Sequence, residues 1–407
     1  MTSGKGKMVP NREQYINPMQ HDRELGLFTQ LQHLGEEEKM RGAVTPPIFQ
    51  NSLFVFDKMD ELLDAMANHP DGPEHHYSRV SNPSMELAET KLAMLEGTEA
   101  AKVLGTGQAA LTMAMMSAVQ QGSHVVCVDT GYGPLVNLVK QYLPKFGVTH
   151  TMVDGRDVNE VVDAIRPETT AIYLESPSSL VFRLQDMETI AKVARERGIT
   201  TICDNTYNTP LHMKPHAIGI DIVCHSATKY LNGHSDITAG VICTTRERMD
   251  GMIRNEVNLL GSILHPFQSW LLTRSLRTLP LRLARHQETG NTVAIWLEQQ
   301  SEVEYVSHIS LLSFPQRDLF LKLMTGSGGL FSFKPKTQDG NKVKQFVDAL
   351  KIYQRGVSWG GHESLVVALQ IQPKGFDKPT WLVRLYCGLE DADDLIADID
   401  QALVHLR

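Results

Sequence analysis

Lys229 follows a short apolar run, Asp221-Ile222-Val223-Cys224, and stands in the small, hydroxylated stretch His225-Ser226-Ala227-Thr228-Lys229-Tyr230. An amine placed at a strand end and drawn out of bulk water loses proton affinity and becomes a nucleophile that can condense with an aldehyde. Ser226 and Thr228 put two hydroxyls beside it. Upstream, Ile199-Thr200-Thr201-Ile202-Cys203 is a second apolar run, and it ends in Asp204-Asn205-Thr206. A carboxylate at a strand's carboxyl end can keep a ring nitrogen protonated, and ligands of open parallel sheets lie beyond those ends. A third charge, Arg384, sits inside the apolar run Trp381-Leu382-Val383-Arg384-Leu385-Tyr386, where burial is costly unless an anion meets the guanidinium. Each has an ordinary reading of its own: a surface lysine, a turn aspartate, a strand-edge arginine. Together they point to amine–aldehyde chemistry on a molecule with an anionic group.

The periodicity around these residues says what must position them. Apolar strands are expected at 102–104, 125–128, 148–153, 171–174, 199–204, 221–224 and 239–244, and helices at 84–96, 109–119, 158–166 and 187–197. Ser84 is the expected cap of the first helix and Gly97 its stop. Repeated βα units of this length argue for a mostly parallel sheet covered on both faces. Several chemically able residues fall at strand ends. Gly105-Thr106-Gly107-Gln108 opens a helix whose backbone amides can hold phosphate. Tyr132 could stack on an aromatic ring, and Glu175-Ser176-Pro177-Ser178-Ser179 follows another strand. Tyr77-Ser78-Arg79, if extended, puts a hydroxyl and a guanidinium on one face, able to clamp a phosphate together. Residues 268–299 read as one long helix linking two domains, with Arg274, Arg277, Arg282 and Arg285 on a solvated or interface face. The rest mixes short strands and helices, with alternation at 329–333 and a closing amphipathic helix at 391–406.

The blocks Tyr77-Ser78-Arg79-Val80-Ser81-Asn82-Pro83, Asp204-Asn205-Thr206, Ser226-Ala227-Thr228-Lys229-Tyr230 and Gly233-His234-Ser235-Asp236 resemble the signatures of the Cys/Met-metabolism family of pyridoxal-phosphate (PLP) enzymes. The resemblance runs from about Thr29 to the end. It implies the α/β fold of the PLP-dependent transferases (aspartate aminotransferase type), with a large domain on a mostly parallel sheet and a smaller α+β C-terminal domain. The implied divisions are an arm over a neighbouring subunit at 1–80, the cofactor domain at 81–270 and the small domain at 271–407. It also implies roles: Lys229 as the cofactor-bound amine, Asp204 on the ring nitrogen, Tyr132 on the ring face, and Gly107, Gln108, Ser226 and Thr228 around the cofactor. Thr106 and Gln108 depart from the family's turn, so Gln108 carries over no side-chain role. Tyr77 and Arg79 would reach the adjacent subunit's cofactor phosphate, so the site would be complete only in an oligomer, expected as a homotetramer. Ser179, Ser358, Trp359 and Arg384 would face the substrate, with Arg384 on its α-carboxylate. Among members, Ser358-Trp359-Gly360-Gly361, Tyr132-Gly133-Pro134 and Glu175-Ser176-Pro177-Ser178-Ser179 resemble the cystathionine β-lyases more than the γ-lyases. Methionine-degrading members carry a reactive cysteine where Pro134 stands here. The expected reaction is β-elimination on cystathionine or a related cysteine conjugate. The alternative is γ-elimination or γ-replacement on a homoserine- or homocysteine-type amino acid, and Val357 and His362 depart from the β-lyase pattern.

Composition narrows the classes. A chain of 407 residues suits two domains, and 42% hydrophobic with 21% charged residues is ordinary for a globular fold. A net charge of -8 offers no basic surface for nucleic acid or an anionic membrane. No apolar run reaches the length of a membrane span, and the first residues lack a signal core, so a cytoplasmic protein is expected. The five cysteines, Cys127, Cys203, Cys224, Cys243 and Cys387, are scattered through strand-like runs without a Cys-x-x-Cys pair and read as buried thiols. The sixteen histidines show no ligand spacing, so no metal is expected.

Overall fold

The computed structural model describes residues 25–37, 39–67 and 75–407. Of the arm expected at 1–80, residues 1–24, 38 and 68–74 lie outside the described residues. Seven strands form the larger sheet: β1 (Ala100–Leu104), β2 (His124–Val128), β3 (Thr149–Val153), β4 (Thr169–Glu175), β5 (Thr200–Asp204), β6 (Ile222–His225) and β7 (Gly240–Thr244). Their order is β1-β7-β6-β5-β4-β2-β3. β3, β2, β4, β5 and β6 pair in parallel, and β7 runs antiparallel to both β6 and β1. Every residue of β1, β2, β6 and β7 is buried, as expected of strands covered by helices on both faces.

A second sheet holds β8 (Val303–Ser307), β9 (Leu330–Pro335), β10 (Gln354–Arg355), β11 (Leu365–Ile371) and β12 (Thr380–Tyr386), in the order β10-β11-β12-β9-β8. It is antiparallel except for the short β10–β11 pair. Among the described residues no helix is long and apolar enough to cross a membrane, and no group of three or more His, Cys, Asp or Glu could hold a metal ion.

Three expectations are corrected. Helix Pro83–Glu96 is capped by Asn82, whose side chain accepts from the Ser84 N–H at 2.9 Å. The Ser84 hydroxyl instead accepts from the Phe49 N–H at 3.0 Å, a long-range bond invisible to local pattern. The stretch 268–299 is two helices, Pro266–Leu276 and Leu279–Glu298. Pro280 sets the break, since proline suits only the first turn of a helix. Arg282 is buried rather than solvated. Its guanidinium donates to the carbonyls of Tyr230 at 2.8 Å and Ser275 at 2.9 Å, which anchors the residue after Lys229.

Candidate active site

Because β4, β5 and β6 are adjacent and parallel, their carboxyl ends share one rim. Glu175 pairs in register with Asp204, and Asp204 with Cys224, so the turn that follows β6 brings Lys229 to the same rim. That turn is tied to the sheet by Thr228, whose hydroxyl accepts from the Ala239 N–H at 2.9 Å and donates to the Ala239 carbonyl at 3.2 Å. The Ser226 N–H donates to the Thr206 hydroxyl at 2.7 Å.

Asp204 is buried, and both donors of Thr206, its N–H at 2.9 Å and its hydroxyl, go to Oδ1. Burial raises the Asp204 pKa and these two bonds oppose the rise. Oδ2 is left to meet a cationic N–H, as a protonated pyridine ring would supply. Lys229 Nζ donates to the Ser358 hydroxyl and lies 5.7 Å from the Trp359 ring centre. Burial first, and then the positive charge of Arg384, lower its pKa to about 8, while Asp204 pulls the other way.

Arg384 reaches this group from the second sheet. Its Nη2 donates to the Ser358 carbonyl at 3.1 Å, and Ser358 is held at φ +80°. Burial lowers the Arg384 pKa to about 10, and among the described residues no carboxylate pairs with it. A guanidinium so placed, with a lone carbonyl as acceptor, can take a carboxylate bidentately. Trp359 packs edge-on to Tyr230 at 5.2 Å and tilted against Tyr207 at 6.3 Å.

Glu175 is the residue that sequence reasoning passed over, treating it only as part of a block. It is buried, and its carboxylate accepts from the Tyr132 N–H at 2.6 Å, the Tyr173 hydroxyl at 2.9 Å and the Ser179 hydroxyl at 2.8 Å. One carboxylate thus ties the Tyr132 and Ser179 loops together. Burial, and then the negative charge of Asp204, raise its pKa to about 8. Burial, Asp204 and Glu175 likewise raise the pKa of the half-exposed Tyr132 hydroxyl. The signal for Glu175 lay in its strand-end position, but its adjacency to Asp204 follows from strand order, which the chain does not spell out.

Helix Gly107–Ser117 points its start at the same turn, capped by Thr106, whose hydroxyl accepts from the Ala109 N–H. A Cβ on Gly107 would lie 2.6 Å from Ser226 Cβ, so only glycine lets the helix N-terminus close on the turn. Gln108 Nε2 donates to the Thr112 hydroxyl at 3.1 Å, and its Oε1 is buried with no partner. Backbone amides at a helix start, two hydroxyl residues and an orphaned amide oxygen fit an anionic, hydrogen-bonding group such as a phosphorylated pyridine.

Tyr77 and Arg79 are not brought to this rim. Both are exposed, Arg79 lies 5.4 Å from the Tyr77 ring centre, and its guanidinium is taken up by the Asn258 side chain and by the Asn258 carbonyl at 3.0 Å. A cavity of about 390 Å³ lined by Asp154, Arg156, Asp157, Glu160 and Gln316 contains none of the residues singled out from the sequence.

A mostly parallel seven-stranded sheet, joined to a smaller, mainly antiparallel one, is the fold type I architecture of PLP-dependent enzymes. The chain belongs to the Cys/Met metabolism PLP-dependent enzyme family, whose profile matches residues 28–404. It is 36% identical to an L-methionine gamma-lyase of Pseudomonas putida, over 93% of this chain and 97% of that one. It is 34% identical to a cystathionine beta-lyase of Lactococcus lactis subsp. cremoris, over 90% and 95%. The crystal structure of metB from Corynebacterium glutamicum superposes with a TM-score of 0.86 at 29% identity, covering 94% of this chain and 99% of that one. The cofactor expected from the sequence is thus the family's cofactor, and the chain is a PLP-dependent enzyme with lyase relatives.

Proposed function

We propose that this enzyme is a carbon–sulfur lyase that cleaves the Cβ–S bond of cystathionine or a related cysteine conjugate by β-elimination, giving a thiol and, after the remaining three-carbon fragment takes up one water, pyruvate and ammonia. The observation that carries the reading is the half-buried, acid-free guanidinium of Arg384, joined through Ser358 to the Lys229 amine. Arg384 binds the substrate α-carboxylate, and that contact fixes the amino acid with Cα toward Lys229. PLP, when bound, supplies the electron sink that makes the Cα proton acidic. Asp204 keeps a positive charge on the ring nitrogen side. Lys229, with its pKa near 8, takes the Cα proton close to neutral pH and returns a proton to the departing group. Ser358 holds the amine between these tasks, while Glu175 fixes Tyr132 and Ser179 on the flanks. Gly107, Gln108, Ser226 and Thr228 form the phosphate side.

Cβ cleavage is favoured by Pro134, which stands where methionine-degrading members of the family carry a cysteine, and by the burial of all five cysteines. γ-Elimination is the second reading, supported by the 36% identity to a methionine gamma-lyase. Product analysis on a small panel of amino acids decides between them: pyruvate from cystathionine supports Cβ cleavage, and 2-oxobutyrate overturns it. The same reading includes a cytoplasmic homotetramer, a cofactor domain at 81–270, a small domain at 271–407, and Tyr77 and Arg79 acting on a neighbouring subunit's cofactor.

A further inference from the structure

The strand that carries Arg384 is held at both ends. At its exit, the Cys387 N–H donates to the Gly329 carbonyl at 2.8 Å and the Tyr386 hydroxyl donates to the Gly361 carbonyl at 2.6 Å. At its entry, the loop between β11 and β12 crosses to the larger sheet. There the Lys374 N–H donates to Asp129 Oδ2 at 2.7 Å, and the Lys374 carbonyl accepts from Arg183 Nη2 at 2.7 Å. Arg183 is buried, with Nη1 3.0 Å from Asp154 Oδ2 and its guanidinium 5.6 Å from the Phe376 ring centre. Gly375 sits at φ +81°, a left-handed conformation that side chains rarely adopt, and a Cβ there would lie 3.2 Å from Arg156 Nη2, so glycine is what lets this loop turn against the larger sheet. Arg183 also closes the loop of Ser179, since its carbonyl accepts from the Ser178 N–H at 2.9 Å.

We propose that this contact is a latch between the two sheets, and that Arg183 is a positioning residue that sets where Arg384 stands relative to Lys229. The proposal rests on Arg384 as the carboxylate receptor. A β-strand is stiff along its length, and Arg384 lies four residues into β12, so the anchored loop fixes the guanidinium's approach. The Ser179 loop is closed by the backbone of Arg183, a contact that a substitution of its side chain keeps, so the guanidinium acts on the Lys374 loop alone. Buried and paired, the Arg183 guanidinium is strongly oriented. The Lys374 side chain adds only an exposed pair with Glu160 at 2.9 Å.

The test uses holoenzyme variants and two measurements: glycine affinity, from the change glycine makes in the bound cofactor's visible spectrum, and KM against kcat with the accepted substrate. Arg183→Met is expected to weaken glycine binding and raise KM by roughly 10- to 100-fold, the scale of a misplacement near 1 Å. The fall in kcat should be smaller, and the cofactor band should keep its position and intensity. Arg183→Lys should recover part of the loss. Lys374→Ala should bind glycine like the parent, because the latch uses that residue's backbone. If Arg183→Met does not fold, Gly375→Ala strains the same loop without leaving a buried acid unpaired, and it should show the same split. Glycine affinity equal to the parent's in the folded latch variant overturns the proposal, as does equal loss of cofactor and glycine. Arg384→Ala, measured alongside, separates the two claims: if it binds glycine as the parent does, the carboxylate role fails and the latch's purpose with it.

Discussion

The Lys229 amine is half-buried next to a guanidinium, and that has a consequence for the cofactor-free protein that needs no substrate. Its pKa falls from the ordinary 10.5 to about 8. Below pH 8 the amine is charged in both the folded and unfolded chain, and the folded state carries the full cost of burying it. Between pH 8 and 10.5 the folded chain releases this proton before the unfolded chain does, so the cost shrinks, and above 10.5 it is gone. The shift corresponds to about 3 kcal/mol at its fullest. Lys229→Met should therefore raise the melting temperature of the cofactor-free protein at pH 7, with the gain disappearing as pH climbs through 8 to 10.5. A gain independent of pH across that range would mean that the amine is not held as described. Lys229 and Asp204 were legible because each stands at the end of an apolar run. Glu175, which ends a run in the same way, was not singled out, because three donors from distant segments are what give it a task.

At the scale of elements, the cradle depends on one backbone approach. Helix Gly107–Ser117 meets the Ser226 turn with no room for a side chain at Gly107. Gly107→Ala should cost about 1–3 kcal/mol of stability, the usual range for overpacking a closed contact. It should also loosen PLP far more than it lowers the melting point of the cofactor-free chain. Equilibrium dialysis of PLP beside thermal unfolding checks this; unchanged PLP retention would place the phosphate elsewhere. Most strands and helices were legible from period and punctuation, including Gly97 as a helix stop at φ +77°. The miss at 268–299 has a plain cause. Apolar spacing continues across Arg277 and Thr278, and the local signal that divides the run, Pro280 in the first turn of the second helix, is outweighed when period alone is followed.

For the whole molecule, Tyr77 and Arg79 bear on the proposal that a neighbouring subunit completes the site. They are held by Asn258 and by each other, away from Lys229, although the resemblance assigns them to a cofactor phosphate. If they serve a neighbour, inactive Lys229→Ala and inactive Arg79→Ala chains, unfolded and refolded together, should form hybrids that regain part of the activity. One kind of site in such hybrids has both the lysine and the arginine intact. Absence of any recovery, with hybrid assemblies demonstrated by mass, would tie Arg79 to its own chain's site. Sedimentation of the parent as an active monomer would do the same.

The sequence by itself determined the alternation that builds a parallel sheet, the strand ends that carry Lys229 and Asp204, and the apolar strand that carries Arg384. These are local matters: period, β-branching and the cost of a charge in an apolar run are written in neighbouring residues. Only the tertiary structure decided that β4, β5 and β6 lie side by side, which makes Glu175 the partner of Asp204, Tyr132 and Ser179. It alone decided that Arg384 meets Lys229 through Ser358, and that Lys374 closes on Asp129 and Arg183. Strand order and domain docking are set by which buried surfaces fit together across the whole chain, and residues far apart in sequence carry no local mark of that fit.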